Sequence, residues 1–541
     1  ISSKSTMSKT VKSQFGLNGI NADALLEVPI VEDKLNIIGS FRRSYDDALK
    51  TFTFNQLTDK VFEGTKINKS DDGNNMFSFF DYSVKLNFKP NKNNSLYASI
   101  ISIDNQLDYT LDDTENNRRL NDKLVTSNIG YGLGWRMKWN EKITQNTNAF
   151  FSDYKLNYNF ITVQGDTQVS DFEKRNTIFD SGFSSEVTID RSKATQITFG
   201  YQYALKDVAF AFLNTTNLSF VLDTEDNTIQ THSVYGQYNY KNPKLFNLSF
   251  GLRTTYFNEL DAVRLEPRIV VCKPILKNLK FQATAEIKNQ IISEIDETIL
   301  SDLSLENRLW RLADGNAFPI INGQQVSAGF IYSKNRLSID VDTYYKKLKN
   351  IAALSLGFLN PENSSFNIGG QNIVGLDVFV KKRFSIFNSW LSYSFNKSES
   401  KFENLNNNKD FTSKSNVTHS VSTALSYKQD GFQFALGWKW QTGKPYTIAN
   451  DRSDGLEFND GINTGKLPIY HRLDFSSTYN FKISKRNKLR AKAGISVRNI
   501  FNRKNLISKE YIGNNSLEDP IQLMEKFSIG ITPNLMFRLY W

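Results

Sequence analysis

The sequence predicts an all-β fold: a transmembrane, antiparallel, up-and-down β-barrel of about 22 strands, with short periplasmic turns and long extracellular loops. Three observations predict it. Apolar and polar residues alternate along extended segments, short turns alternate with long polar stretches, and the chain ends on an aromatic residue, Trp541. Aromatic residues reach 13% although the mean hydropathy is only −0.44. A membrane protein of this composition presents its apolar surface on alternate strand residues rather than in membrane helices.

The alternation is clearest in the last segment of the chain. From Phe527 to Trp541 the odd-numbered positions are apolar and the even-numbered positions are mostly polar. Successive side chains of a strand point to opposite faces, so the segment is expected to have one face for lipid and one for a wet lumen. The same pattern recurs at 129–139, 337–342, 374–381 and 473–481. A water-soluble sandwich would also alternate, but the length of these segments favours the barrel.

The connections between strands support the same fold. Short turns such as Val31–Lys34, Arg191–Ala194 and Gln429–Phe432 alternate with long polar stretches such as Tyr45–Asn75 and Ser293–Gln324. Outer-membrane barrels have this asymmetry, with short turns in the periplasm and long loops outside. With no linker or change of composition, residues 1–541 are expected to form one barrel domain in the outer membrane of a Gram-negative bacterium.

The residues that carry enzyme chemistry form no recognisable constellation. The histidines at 232, 419 and 471 are isolated and lack metal-ligand spacing, and Cys272 is the only cysteine. The stretch Asn450–Gly461 is rich in oxygen side chains, but its spacing does not fit an EF-hand loop, and an ordinary solvated loop is the favoured interpretation. The sequence therefore predicts neither an enzyme nor a cofactor or metal site.

The net charge of +10 leaves the identity of the charged partner open. A lipopolysaccharide-facing surface, an acidic ligand and nucleic acid are all compatible with a basic chain. Lysine and arginine are spread over strand ends and loops instead of lying on one stripe, which argues against nucleic acid. Membrane lipid, including lipopolysaccharide, is therefore an expected partner.

Several short motifs, in their order along the chain, resemble the β-barrel of TonB-dependent receptors. The resemblance extends from near residue 25 to Trp541. Each motif alone is weak, and their shared order and spacing make the set fairly specific. The motifs are LEVPIVEDKLNIIGSFRRSY (Leu26–Tyr45), NRLWRLADG (Asn307–Gly315), YYKK (Tyr344–Lys347), TGKPY (Thr442–Tyr446), HRLDF (His471–Phe475) and VRNIFNRKN (Val497–Asn505).

The resemblance implies active uptake of a scarce nutrient, such as a siderophore, a cofactor, a glycan or a peptide. In that family TonB supplies the energy and an N-terminal plug fills the lumen. No plug is recognisable here. Three explanations are open: the plug lies outside this sequence, it is a separate chain, or the barrel serves another task. We favour the first. The alternative functions are a plugless scaffold in a larger outer-membrane complex, with a surface lipoprotein as one conceivable partner, and a passive channel.

Six residues are the candidates for contact with a ligand or a plug. Strand parity places one arginine on the polar face of an early strand. Three candidates lie in the longest mid-chain loop, and two flank another large loop. For each of them, loop packing or a lumenal charge balanced by a neighbour is the competing interpretation. The candidates are Arg42, Trp310, Arg311, Asp314, Tyr446 and Arg472.

Overall fold

The structure is a computed structural model of the chain. It describes residues 7–45, 49–62, 74–113, 117–214, 220–296, 308–354, 366–403, 405–448, 450–452, 455–457, 461–484, 489–512 and 522–541. The oxygen-rich stretch Asn450–Gly461 lies partly outside these residues. No helix in the described part of the chain is long and apolar enough to cross a membrane.

In this part of the chain the elements are one α-helix, α1 (Phe52–Phe62), a 3₁₀ turn at Asn406–Asn408, and 31 strands. The strands are β1 (Lys12–Asn18), β2 (Asn21–Val31), β3 (Leu35–Ser44), β4 (Asn74–Asn91), β5 (Asn94–Asp113), β6 (Arg118–Lys138), β7 (Ile143–Gln164), β8 (Thr167–Asp190), β9 (Thr195–Asn214), β10 (Phe220–Asn242), β11 (Phe246–Phe257), β12 (Ala262–Leu276), β13 (Leu279–Gln290), β14 (Ile292–Asp296), β15 (Arg308–Leu312), β16 (Ile321–Lys334), β17 (Leu337–Leu354), β18 (Phe366–Phe384), β19 (Phe387–Phe402), β20 (Phe411–Thr412), β21 (His419–Gln429), β22 (Phe432–Gln441), β23 (Pro445–Tyr446), β24 (Asn450–Arg452), β25 (Gly455–Glu457), β26 (Gly465–Lys466), β27 (Tyr470–Lys482), β28 (Arg490–Arg498), β29 (Leu506–Ile512), β30 (Gln522–Phe527) and β31 (Thr532–Tyr540).

Twenty-two of these strands form one closed antiparallel barrel, which confirms the predicted fold class and strand number. They are β1–β13, β16–β19, β21, β22, β27, β28 and β31, each paired with its neighbour along the chain. The barrel closes where β1 pairs with β31, from Gln14 opposite Tyr540 to Asn18 opposite Met536. Closure leaves no free sheet edge, which is the condition for a β-sheet to exist in lipid.

The register fixes which side chains face lipid and which face the lumen. On β31, Leu535 lies opposite Ile495 of β28, and both side chains are exposed on the outer surface. The next residue, Met536, lies opposite Gly494 and faces the lumen. Because strand side chains alternate, this assignment extends around the whole barrel through the paired residues. The predicted lipid-facing and lumenal faces of the C-terminal strand are therefore present.

The last strand is shorter than the alternation predicts. Residues 528–531 keep the alternation but are not in strand conformation, so that β30 ends at Phe527 and β31 begins at Thr532. In the gap, Asn499 Nδ2 donates to the Ile529 carbonyl at 3.0 Å, and Ile531 N–H donates to Asn502 Oδ1 at 2.9 Å. Asparagine side chains thus satisfy backbone groups that a continuous strand would have paired with a neighbouring strand.

The two ends of the barrel differ in height. The ten turns at the periplasmic end contain two to seven residues, whereas four connections at the other end contain 28–33. Crossing a bilayer takes about 9–11 tilted residues. β8 has 24 residues and β7 has 22, so β5–β10 continue well beyond the membrane on the extracellular side. This tall part of the wall, called the raised wall below, encloses three hydrophobic clusters on its lumenal face.

A helix within the stretch Tyr45–Asn75, where the sequence predicts a loop, covers the closing seam. Helix α1 lies in the connection between β3 and β4. Thr51 caps it, accepting the Phe54 N–H at 3.1 Å, and Phe54 is buried against Phe77 of β4. Thr53 Oγ1 donates to the Pro533 carbonyl of β31. The helix therefore crosses the tops of β1 and β2 and joins β31 to β4.

Candidate functional site

The raised wall holds a hairpin that folds inward. Strands β14 and β15 pair from Ile292 opposite Leu312 to Asp296 opposite Arg308. Leu312 packs with Val208 and Ile229, which lie on lumenal positions of β9 and β10. We call β14 and β15 the inner hairpin. It places part of the long mid-chain connection inside the extracellular mouth of the barrel.

Trp310 is attached to the wall through its backbone. Asn176 of β8 is buried, and its Oδ1 accepts the Trp310 N–H at 2.9 Å. The Asn176 Nδ2 donates to the Trp310 carbonyl at 3.2 Å. The amide of Asn176 therefore replaces a neighbouring strand, and the indole of Trp310 packs against the hydrophobic cluster around Leu312.

Arg311 fixes the inner hairpin to two strands. Its side chain is only 7% exposed, and Nη1 donates to Glu225 Oε2 of β10 at 2.8 Å. The guanidinium carbon lies 4.2 Å from the ring centre of Phe210 and 4.8 Å from that of Phe318. A planar guanidinium between two rings is favourable for cation–π attraction. This cation therefore binds the wall and not an open ligand site.

Asp314 shapes the turn that follows β15. Its Oδ1 accepts the N–H groups of Asn316 at 2.7 Å and Phe318 at 2.8 Å. The turn returns the chain to Ile320, which joins the same buried cluster. The structure thus brings Trp310, Arg311 and Asp314 into one compact unit, in which each has a structural contact. A ligand-binding role for them stays a prediction.

A buried carboxyl group lies on the raised wall outside the membrane. Asp122 of β6, 16 residues above the periplasmic end of that strand, is fully buried and accepts a hydrogen bond from the Tyr158 hydroxyl. Among the described residues its Oδ2 has no hydrogen-bond partner. Burial raises the pKa of Asp122 to about 7, although the Tyr158 bond opposes the shift. Burial and the Asp122 charge raise the pKa of Tyr109, on β5, to about 12.

This pKa predicts a pH-dependent stability of the raised wall. Folded Asp122 holds a proton that the unfolded chain releases, so stability falls as the pH rises from about 4 to about 7. We expect hydrogen-exchange protection of β6 and β7 near Asp122, corrected for intrinsic rates, to drop roughly tenfold or more over this window. In Asp122→Asn the drop should vanish. An unchanged profile in that variant would contradict this role.

Tyr446 lies beside an extracellular cleft of about 560 Å³. It belongs to the TGKPY motif, whose last two residues form β23 and pair with β26. Gly443 of this motif lies so close to the Leu467 carbonyl that no side chain fits there. Lys509 Nζ is 5.5 Å from the centre of the Tyr446 ring. The polar groups that line the cleft include Lys397, Glu399, Asn406, Asp410, Asn416, Asn463 and Lys466.

The two remaining candidates lie in the lumen wall and are paired. Arg42 Nε donates to Asp81 Oδ2 at 2.6 Å, with its guanidinium 5.2 Å from the Phe79 ring centre. Arg472 Nε donates to Asp474 Oδ2 at 2.9 Å. Both arginines are on lumenal positions, as parity predicts for Arg42, and their charges are balanced by neighbours. The six candidates thus occupy separate places: the inner hairpin, the cleft and two positions on the wall.

Bonds that pass over a glycine are a second feature of the lumen wall. Arg538 of β31 donates to Asp23 of β2 at 2.6 Å across Gly16 of β1. The Tyr97 hydroxyl reaches Asn148 at 3.3 Å across Gly134.

The third such bond joins Tyr235 of β10 to Glu186 of β8, at 3.2 Å, across Gly200 of β9. Each bond links two strands that are not adjacent, and the missing side chain makes room for it. We call these the over-glycine bonds.

Gly16→Ala should break the over-glycine bond at the seam. A Cβ there would lie 2.6 Å from Asp23 Oδ1 and 2.8 Å from Arg538 Nη2. Both side chains are partly exposed, so we expect a loss of about 1–2 kcal/mol in the free energy of unfolding, measured by urea titration in detergent. Gly437→Ala is the control, since its Cβ would meet nothing within 4 Å. Equal stability of the two variants would refute the role of the bond.

Sequence reasoning did not single out Asp122, Asn176 or Glu225. Each lies on the lumenal face of a long strand, where polar residues are expected, so parity does not distinguish them from solvated neighbours. In the described part of the chain, no group of three or more His, Cys, Asp or Glu side chains is arranged to hold a metal ion.

Comparisons with known proteins agree with this architecture. Residues 314–500 match the family described as TonB dependent receptor-like, beta-barrel. The ferric yersiniabactin uptake receptor FyuA from Yersinia pestis is similar in structure with a TM-score of 0.69 and 10% identity, covering 100% of this chain and 81% of that one. The ferripyoverdine receptor of Pseudomonas aeruginosa gives 0.69 and 12%, covering 99% and 72%. The transporter YddB from Escherichia coli gives 0.66 and 10%, covering 99% and 81%. No curated protein matches the sequence.

A closed barrel of 22 strands, with short turns at one end and a raised wall with an inward hairpin at the other, defines the class of large outer-membrane transport barrels. The chain is an outer-membrane β-barrel, and its residues 314–500 match the TonB-dependent receptor-like barrel family.

Proposed function

We propose that this chain is the barrel of a receptor that takes up one scarce nutrient across the outer membrane with energy relayed by TonB. The observation that carries the proposal is the walled extracellular mouth. The raised wall of β5–β10 encloses the inner hairpin, and Arg311 anchors that hairpin from within. A passive pore has no need of a buried anchor that shapes its mouth, whereas a receptor needs a preorganised surface for its ligand.

The cleft beside Tyr446 is the best candidate for the first contact with the nutrient. Its lining offers amide, hydroxyl, amino and carboxylate groups from several connections. Such a set suits a ligand rich in hydrogen-bonding groups, which includes glycans, peptides and the polar shells of iron chelates. The similar structures include receptors named for ferric yersiniabactin and ferripyoverdine. An iron chelate is therefore one of the ligands that we propose for this cleft.

The lumen wall is compatible with a plug domain, which we propose as part of the full receptor. Its charges are largely neutralised within the wall, as Arg42 with Asp81 and Arg472 with Asp474 illustrate. A wall that satisfies its own charges binds a folded domain without holding it irreversibly, which suits a plug that has to move during transport. The six candidate residues are proposed contacts of the ligand or of this plug.

Growth on a limiting nutrient tests the transport function. We expect a strain that lacks this chain to lose growth on one of a panel of ferric citrate, haemin, cyanocobalamin, oligosaccharides and peptides supplied at limiting concentration. Deletion of TonB should give the same defect. Lys466→Ala and Asn463→Ala in the cleft should raise the concentration needed for growth, while the control Lys193→Ala in a periplasmic turn should not.

The alternative function is a scaffold subunit of an outer-membrane complex, and the intact mass of the protein separates the two. A mass well above 62.0 kDa for protein purified from outer membranes is the outcome that supports a receptor with its plug. A mass equal to this chain, together with stoichiometric co-purification of other membrane proteins and normal growth of the deletion strain, would overturn the transport proposal.

A further inference from the structure

Charge is distributed unequally between the two ends of the barrel. By sequence, the connections at the extracellular end contain 27 Asp or Glu and 15 Lys or Arg. The ten periplasmic turns, counted with two flanking residues on each side, contain 19 Lys or Arg and five Asp or Glu. The positive net charge of the chain therefore lies at the periplasmic end, away from the lipopolysaccharide leaflet.

One part of the periplasmic end contains no acidic residue at all. The four consecutive turns between β10 and β19, at 243–245, 277–278, 335–336 and 385–386, lie within the described part of the chain. With two flanking residues on each side they contain no Asp or Glu. We call these turns the basic sector. Its cations are Lys244, Lys277, Lys334 and Arg336, which lie in the turns or on outward positions, and Lys241, Lys280 and Arg383, which lie on lumenal strand positions.

Two further lysines near these turns point outward from the barrel. Lys273 of β12 lies opposite Phe281, whose ring is 5.5 Å from that of the exposed Phe330. Lys382 of β18 lies with its Nζ 5.7 Å from the centre of the Phe384 ring and donates to the Asn335 carbonyl at 3.1 Å. Both therefore extend from the lipid-facing surface towards the membrane boundary, as lysines with apolar stems do.

Exposed apolar side chains lie next to these cations. Leu276 is 67% exposed, and Leu245, Phe384 and Ile386 are exposed as well. Each of them is in the basic sector or beside it. Alternating cations and exposed apolar groups are typical of protein surfaces that rest in the headgroup layer of an anionic membrane. A surface for an acidic soluble protein does not need apolar groups at the membrane boundary.

A groove lies above the basic sector on the lipid-facing surface. It has a volume of about 420 Å³, and its lining is predominantly apolar. Ala285 forms its floor, between Ile269 on one side and Val326 on the other, which are its partners in register. Phe250 and Tyr345 complete its sides. The groove extends the apolar part of the basic sector in the direction an acyl chain takes into the bilayer.

We propose that the basic sector binds the headgroup of an anionic phospholipid of the periplasmic leaflet, with an acyl chain in the groove over Ala285. Charge complementarity selects a phosphate headgroup that lacks a compensating amine. The position selects the periplasmic leaflet, because the cations lie at the end of the barrel with the short turns. This binding is independent of the nutrient that the receptor carries.

Lipid retention by the purified full chain tests the proposal. The delipidated protein in mild detergent is incubated with phosphatidylglycerol, phosphatidylethanolamine or lipid A, and bound lipids are counted by native mass spectrometry. We expect a preference for phosphatidylglycerol over phosphatidylethanolamine. In the triple variant Lys244→Gln, Lys273→Gln, Lys277→Gln, retention of phosphatidylglycerol should fall roughly tenfold or more. Ala285→Phe, which fills the groove, should weaken retention without removing charge.

The matched control removes the same number of lysines from other periplasmic turns. It is the triple variant Lys34→Gln, Lys142→Gln, Lys193→Gln, whose turns, counted with two flanking residues on each side, also contain acidic residues, and it should retain phosphatidylglycerol. Heat-dependent gel mobility verifies that each variant is assembled. Equal losses in both triple variants, absence of a phosphatidylglycerol preference or stronger retention of lipid A would each overturn the proposal. The proposal would also be overturned if the variant Lys244→Gln, Lys273→Gln, Lys277→Gln lost a bound acidic periplasmic protein but still retained phosphatidylglycerol.

Discussion

Replacement of Leu535 by arginine is expected to block assembly of the barrel into membranes. Leu535 is 67% exposed on the outer surface of β31, six residues above the C-terminus and therefore near the middle of the bilayer. Arginine at such a position costs about 2–4 kcal/mol. The strand also forms the closing seam with β1, so a defect there prevents closure of the whole sheet. Folding into vesicles, followed by heat-dependent gel mobility, measures the result.

The neighbouring position provides the control. Met536 is on the lumenal face of the same strand, opposite Gly494, where water is available. Met536→Arg should assemble with a yield close to that of the parent protein. Thr532 is less suitable because its side chain is largely buried at the top of the strand. Equal assembly of Leu535→Arg and Met536→Arg would show that the outer surface of β31 does not face lipid.

Replacement of Arg311 by alanine should detach the inner hairpin while the barrel stays assembled. The variant loses the bond to Glu225 and two ring contacts, and it leaves the Glu225 charge at a partly buried position. After a discount for the exposure of Glu225, we expect a local cost of roughly 2–4 kcal/mol. The hairpin should then become sensitive to protease on intact cells. Its amides should lose hydrogen-exchange protection, whereas those of the membrane-spanning strands should not.

Two variants make the Arg311 experiment specific. Arg264→Ala removes an exposed arginine from the nearby strand β12 and should leave protease resistance unchanged. Arg311→Lys keeps the positive charge but loses the planar group between the rings of Phe210 and Phe318, so it should be intermediate. A hairpin that remains protected in Arg311→Ala would mean that hydrophobic packing around Leu312 is sufficient to hold it.

The barrel could be predicted from sequence because its strands lie between two solvents. Lipid on one side and water on the other impose a period of two on every strand, and Leu535 beside Met536 shows this in the structure. The strand prediction fails at 528–531. The apolar and polar residues still alternate there, but the backbone forms hydrogen bonds to the side chains of Asn499 and Asn502. Periodicity records which residues are apolar, and it contains no information on which groups receive the backbone hydrogen bonds.

The inner hairpin and helix α1 could not be predicted because distant residues hold them in place. Their position in a long polar loop of the sequence predicts Trp310 and Arg311 as ligand contacts. The structure brings them together, but Asn176 and Glu225 hold them against the wall, and both partners are far away in sequence. Helix α1 has a local signal in Thr51, a good cap three residues before Phe54, but the polar stretch around it predicts a loop.

The over-glycine bonds have a consequence for the width of the passage through the barrel. With glycine beneath them, the rings of Tyr97 and Tyr235 lie flat along the wall. Any larger residue at Gly134 or Gly200 would occupy the space of the ring and turn it towards the axis. A single small-to-large change can therefore narrow the bore by the depth of a phenol ring while the number of strands stays the same. The calibre of such a barrel can evolve independently of its circumference.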